Sequence, residues 1–117
     1  MLKVAAGFLI VAATCISAAA DSYSVSDVGS FESRSACMTA AREVLTGVAA
    51  ERGGTIEELS RSVAAFDLGS VDADVYVACV PLEGTSGATR GFLSTFRPGE
   101  DAGALHDMVR DLFNPDI

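Results

Sequence analysis

His106 is the only histidine of the chain and so the default side chain for acid–base work near neutral pH. Its neighbour Asp107 would project about 100 degrees away around a helix, so the two make no dyad, and Arg110 one turn on disfavours an imidazolium. Serines are many, yet no Gly-x-Ser-x-Gly occurs, so a serine–histidine–acid set would have to meet in space and not in sequence. His106 is therefore expected at the border of a helix's apolar stripe, and no catalytic residue is assigned.

Asp72-Ala73-Asp74, with Glu83 at the twelfth position, imitates the carboxylate spacing of a calcium loop. Val77 stands at the sixth position, where such a loop needs glycine, and the interval reads as continuous strand. Gly84, Gly87 and Gly91 suggest a phosphate cradle only loosely, since no Gly-Lys-Ser or Gly-Lys-Thr follows them. The expectation is no metal site and no cofactor.

The cysteines carry a clearer signal. Cys37 and Cys79 lack Cys-x-x-Cys spacing and a nearby histidine, which argues against a redox or metal pair. In an oxidising compartment they should be bridged, closing a loop of 42 residues and constraining the unfolded chain by about 4 kcal/mol in the loop-entropy model.

The first twenty residues point to that compartment. Met1 and Lys3 give a positive start, residues 4–16 run without a charge, and Ala18-Ala19-Ala20 offers a small-residue cleavage pattern before Asp21. This reads as a secretory leader, because the apolar run falls short of the roughly 20 residues a membrane-spanning helix needs. Ala12-Ala13-Thr14-Cys15 does not make a lipoprotein signal, and no twin arginine precedes the run. Cleavage would remove Lys3, the only lysine, together with Cys15. The remaining residues, 21–117, would form one domain of 97 residues with seven arginines against sixteen carboxylates, a net charge of −9. Such a charge disfavours nucleic-acid binding, and the seven arginines are scattered singly.

The elements that must position these residues follow from periodicity. Tyr23 and Val25 alternate with serines in a short strand ending at an Asp27-Val28-Gly29-Ser30 turn. Over 33–51, Cys37, Ala40, Ala41, Val44, Leu45 and Val48 share one face of a helix, and Gly53-Gly54 stops it. Thr55 with Glu58 matches a capping box and predicts a helical turn reaching Ser60. Strands are expected over 63–68, 74–82 and 89–96, with a hairpin loop over 83–87. A last helix over 101–113 turns Leu105, Met108, Val109 and Leu112 inward before Asn114-Pro115 ends it, with Glu100-Asp101 favoured near its start.

The order β-α-β-β-β-α predicts an α+β two-layer sandwich: a mostly antiparallel sheet of about four strands, two helices, and the first helix clamped to the sheet by Cys37–Cys79. In the 74–82 strand, Val75, Val77 and Cys79 point one way and Tyr76, Ala78, Val80 and Leu82 the other, so both faces are apolar. If both helices cover the first face, Tyr76, Ala78, Val80 and Phe92 or Phe66 are left uncovered, the mark of an interaction face. The competing arrangement has the last helix cross over and bury them, or the first strand and long loops do so.

The functional expectation is a small exported, non-enzymatic binding protein in the periplasm or outside the cell. Its acidic surface and sheet face would engage a protein partner or a second copy, without nucleic acid and without stable membrane insertion once the leader is removed. The alternative is a small-ligand carrier or small hydrolase, with a pocket between sheet and helices and His106, Arg90 or Asp72 at its mouth.

Overall fold

A polar break after Phe31 turns the chain from strand to helix. Ser33 has an extended backbone, and its Oγ accepts the Ala36 N–H at 3.0 Å, closing the first turn of α1 (Arg34–Arg52). At the far end Gly53 sits at φ 73° and its N–H donates to the Ala49 carbonyl at 2.8 Å. Between these caps Cys37, Ala41, Leu45 and Val48 form a fully buried stripe, while Thr39, Arg42, Glu43 and Thr46 face solvent.

The computed structural model describes residues 22–84, 87–99 and 101–113. The leader over 1–20, Thr85 and Ser86 of the hairpin loop, Glu100 and the Asn114-Pro115 stop lie outside these residues. Within them the chain forms β1 (Ser22–Phe31), α1, β2 (Thr55–Glu58), β3 (Ser62–Leu68), a single 3-10 turn, β4 (Ala73–Pro81), β5 (Thr89–Arg97) and α2 (Gly103–Phe113). The strands make one sheet in the order β1-β5-β4-β3-β2, every neighbouring pair antiparallel.

This is the α+β architecture expected, with one strand added at an edge. Residues Thr55–Glu58 pair with β3, Thr55 opposite Phe66 and Glu58 opposite Val63, where a helical turn was expected. The capping-box pattern is a local preference, and ladder hydrogen bonds to an unpaired β3 edge outweigh it. Glu58 instead turns toward α1 and takes a bidentate contact from Arg42, Nε to Oε2 and Nη2 to Oε1 both at 3.1 Å. β1 also runs longer than expected, because the Asp27–Gly29 stretch is a bulge inside the strand and not its end. Asp27 Oδ1 accepts the Gly29 N–H at 3.0 Å across it, and the extra residue, Val28, is buried.

Both helices lie on the side of the sheet to which Val75, Val77 and Cys79 point. α1 covers β3 and β4, and α2 lies beside it over β1 and β5. The core is the layer between them, built on Leu45 and Val48 from α1, Val63, Val75, Val77 and Leu93 from the sheet, and Leu105 and Val109 from α2. Leu112 departs from the expected inner stripe and is exposed, since it stands on the last turn of α2.

The Cys37–Cys79 disulfide joins the two layers, with Cα atoms 6.0 Å apart, and both residues are buried. Cys79 is paired across the ladder with Gly91, and the space beside Gly91 is taken. A Cβ there would stand 2.8 Å from Val28 Cγ2, 3.2 Å from Phe31 Cε2 and 3.5 Å from Cys37 Sγ. Gly91→Ala is expected to lower stability by about 1–3 kcal/mol through overpacking. Gly47→Ala, in open space on the exposed face of α1, is expected to raise it by about 0.5–1 kcal/mol. Thermal unfolding of the two variants checks this, and equal effects would contradict the packing described.

Candidate functional site

The side of the sheet opposite the helices is a surface of four cross-strand rows. Tyr23, Phe96 and Asp74 stand in the first, and Val25, Ser94, Tyr76 and Ala64 in the second. Asp27, Phe92, Ala78 and Ser62 form the third, and Ser30, Arg90 and Val80 the fourth. Strand alternation puts them there, since on β3, β4 and β5 they alternate with side chains buried under the helices and on β1 with half-buried serines.

Large apolar groups are open to solvent along these rows. Tyr23 is 65% exposed, Val25 59%, Tyr76 42%, Val80 41% and Phe92 36%. Single exposed apolar residues are ordinary, but these five stand on neighbouring strands of one face. Of the residues singled out from sequence, Tyr76, Val80 and Phe92 therefore lie uncovered on a common face. Ala78 shares that face, half-buried, as a floor between Phe92 and Ser62. Phe66 is on the same side toward the β2 edge and is half-buried. Tyr23, Val25 and Phe96 extend the surface beyond the residues named from sequence. Alternation with serine marked Tyr23 and Val25 as strand residues, but only the register places them beside β5.

Charged groups stand at both ends of the surface. Arg90 Nη1 donates to Asp27 Oδ2 at 2.7 Å and Nη2 to Ser30 Oγ at 3.3 Å, which ties the guanidinium to β1 across the ladder. At the other end Asp74 Oδ1 accepts the Asp67 N–H at 3.1 Å, where Asp67 takes a left-handed φ of 57° and the β3–β4 register shifts. Between Tyr23, Tyr76 and Phe96 the surface dips into a cavity of about 210 Å³, with Ser94 and Asp74 completing its lining.

The helix-side pocket considered from sequence is not brought together. His106 lies under α2, Arg90 is on the opposite side of the sheet, and Asp72 closes the 3-10 turn with φ 52°. His106 is buried, at 4% exposure, where a border position was expected. The reason is polar: Nε2 lies 2.7 Å from Ser26 Oγ and Nδ1 2.9 Å from Thr95 Oγ1, so both ring nitrogens are satisfied by hydroxyls on β1 and β5. Ser26 and Nε2 are as close as a nucleophile and its base. The second nitrogen meets a threonine and not a carboxylate, and the ring is buried.

Among the described residues no three His, Cys, Asp or Glu side chains gather so that they could hold a metal ion, and no helix is long and apolar enough to cross a membrane. No protein-family model, curated protein or solved structure matches the chain.

Burial holds the His106 imidazole below its ordinary value of 6.5; Asp107 opposes the shift and Arg110 adds to it. The folded chain thus keeps a neutral ring while the unfolded chain gains a proton as pH falls below about 6.5. Stability from this group is complete above that pH and is lost as pH falls toward the lower native value. The melting temperature is expected to drop between about pH 7.5 and pH 5.5. His106→Gln should melt lower at the upper pH and show a flatter profile, and an equally steep profile would remove His106 as the cause.

Proposed function

We propose that the chain is an exported binding protein that docks a protein partner on the open face of its sheet. One-sided packing carries the reading: both helices cover the Val75/Val77/Cys79 side, and the aromatic and β-branched side chains of the other side have no element over them among the described residues. A surface of this kind supplies the apolar centre of an interface, and the Asp27–Arg90 pair and Asp74 supply a polar rim.

The charge favours a basic partner over a second copy. Without its leader the chain carries a net charge of −9, so two copies repel, whereas a positively charged surface is drawn in and oriented. The disulfide and the leader-like residues 1–20 together support an oxidising compartment, periplasmic or extracellular.

Native mass spectrometry of the full chain, exported and purified without reductant, tests the reading. The expected species is a chain beginning at Asp21, lighter by the two hydrogens of a disulfide and bound to a second, basic protein. Val80→Glu or Phe92→Glu should remove that protein while leaving the melting temperature within a few degrees. A bare monomer, a homodimer, or a monomer carrying only a small molecule would overturn it. Association should also slow by about tenfold or more between low and high salt, and a salt-independent rate would remove the charge-steered partner.

A further inference from the structure

The cavity at the Tyr23 end of the open face is built of a narrow chemistry. Tyr23 and Phe96 are cross-strand neighbours whose ring centroids lie 6.3 Å apart with planes at 53°, so they meet as two walls of a corner. Tyr76 stands on β4 as a third wall, across from Ser94, whose small side chain leaves the floor open. Asp74 is paired with Phe96 and lies two residues from Tyr76 on the same strand face. Its Oδ1 is tied to the Asp67 N–H, which fixes the carboxylate at the rim. The lining holds three aromatic rings, two of them phenols, with one serine hydroxyl, one carboxylate and no cationic side chain.

Three aromatic faces beside a carboxylate attract an organic cation, the rings through their negative quadrupoles and the carboxylate through charge and hydrogen bonds. At about 210 Å³ the cavity is smaller than the roughly 300–1,000 Å³ of pockets that enclose a whole small ligand. It suits the tip of a side chain whose own protein covers the rows beyond. A guanidinium uses both halves of the site, since its plane stacks on the rings and its fork meets the carboxylate, whereas an ammonium offers only a point charge. We propose that Tyr23, Asp74, Tyr76, Ser94 and Phe96 form an aromatic cage that receives an arginine side chain of the protein partner.

The inference rests on the sheet-face reading, and its test is separable from that reading because a single amino-acid probe needs no partner. N-acetyl-arginine amide titrated into the full-length, disulfide-bonded protein is expected to give saturable NMR shifts confined to the five cage residues. N-acetyl-lysine amide should bind several-fold more weakly, and N-acetyl-glycine amide should give no saturable shift. Asp74→Asn keeps an acceptor for the Asp67 N–H while removing the charge, and should weaken the arginine probe about tenfold or more. Ser94→Leu, which fills the floor from an open face, should abolish binding with an unchanged melting temperature. No saturable shift, equal binding by Asp74→Asn, or tighter binding of tetramethylammonium than of the arginine probe would overturn the arginine cage.

The partner complex distinguishes the two claims. Arginine-probe binding by a protein that captures no partner would leave the cage and remove the docking face. A partner held equally well by Asp74→Asn, but lost from Phe92→Glu, would leave the face and remove the cage.

Discussion

The covalent tie between Cys37 and Cys79 fixes which side of the sheet is the inside. It joins the apolar stripe of α1 to β4, the middle strand of the five, at positions whose side chains alone could not specify a direction, because β4 is apolar on both faces. Once α1 is held over Val75 and Val77, the short connection from β5 brings α2 down on the same side, and the chain has no further helix among its described residues with which to cover the other. The asymmetry of the surface is thus a consequence of where one cross-link falls. In a domain this small such a link is also a large fraction of the stability, since the loop it closes is worth about 4 kcal/mol against a total of about 5–15.

The two helices are held by different forces. α1 is packed by aliphatic side chains and the disulfide, and is stitched to the β2 edge by Arg42 and Glu58. α2 has Leu105 and Val109 in the core, but it meets β1 through the strand's serine face. Ser22 Oγ accepts the Ala102 N–H at 2.7 Å just before the helix, and Ser26 meets His106 one turn later. Asp101 Oδ1 takes the Gly103 N–H at 2.9 Å and helps to start the helix. Ser22 and Ser26, two of the serines alternating with Tyr23 and Val25, are therefore docking groups for α2. Hydrogen bonds of this kind contribute less net stability than buried aliphatic area, which makes α2 more easily released than α1.

Much of this was legible because periodic signals coincided. The stripe through Cys37, Ala41, Leu45 and Val48 and the alternation through Val75, Val77 and Cys79 named the helix, the strand and the residues joining them, and the same alternation put Tyr76, Ala78 and Val80 together on the far side. What escaped depended on contacts distant in sequence. The chain passes so close to β3 at Gly54 that a Cβ there would stand 2.6 Å from the Phe66 carbonyl oxygen, which lays Thr55–Glu58 against β3 as a strand, and no pattern within those four residues says so. His106 is buried because Ser26, 80 residues away, accepts the role of its partner. The cavity at Tyr23 depends on the β1–β5 register, which sets Tyr23 opposite Phe96 and could not be counted from either strand alone.

The two margins of the sheet have their own consequence. An open sheet with an apolar face presents unpaired backbone at both outer strands, the geometry from which chains stack side by side into fibrils. β1 is interrupted by its bulge at Asp27–Gly29, which twists the margin and breaks the continuous row of donors and acceptors that a further strand would need. β2 is only four residues long, wholly exposed, and half of it is glutamate, so an identical strand from another copy would set Glu57 and Glu58 among like charges. Polymerisation by the margins is thus obstructed by shape on one side and by charge on the other, which separates exposure of the apolar face from growth at the edges.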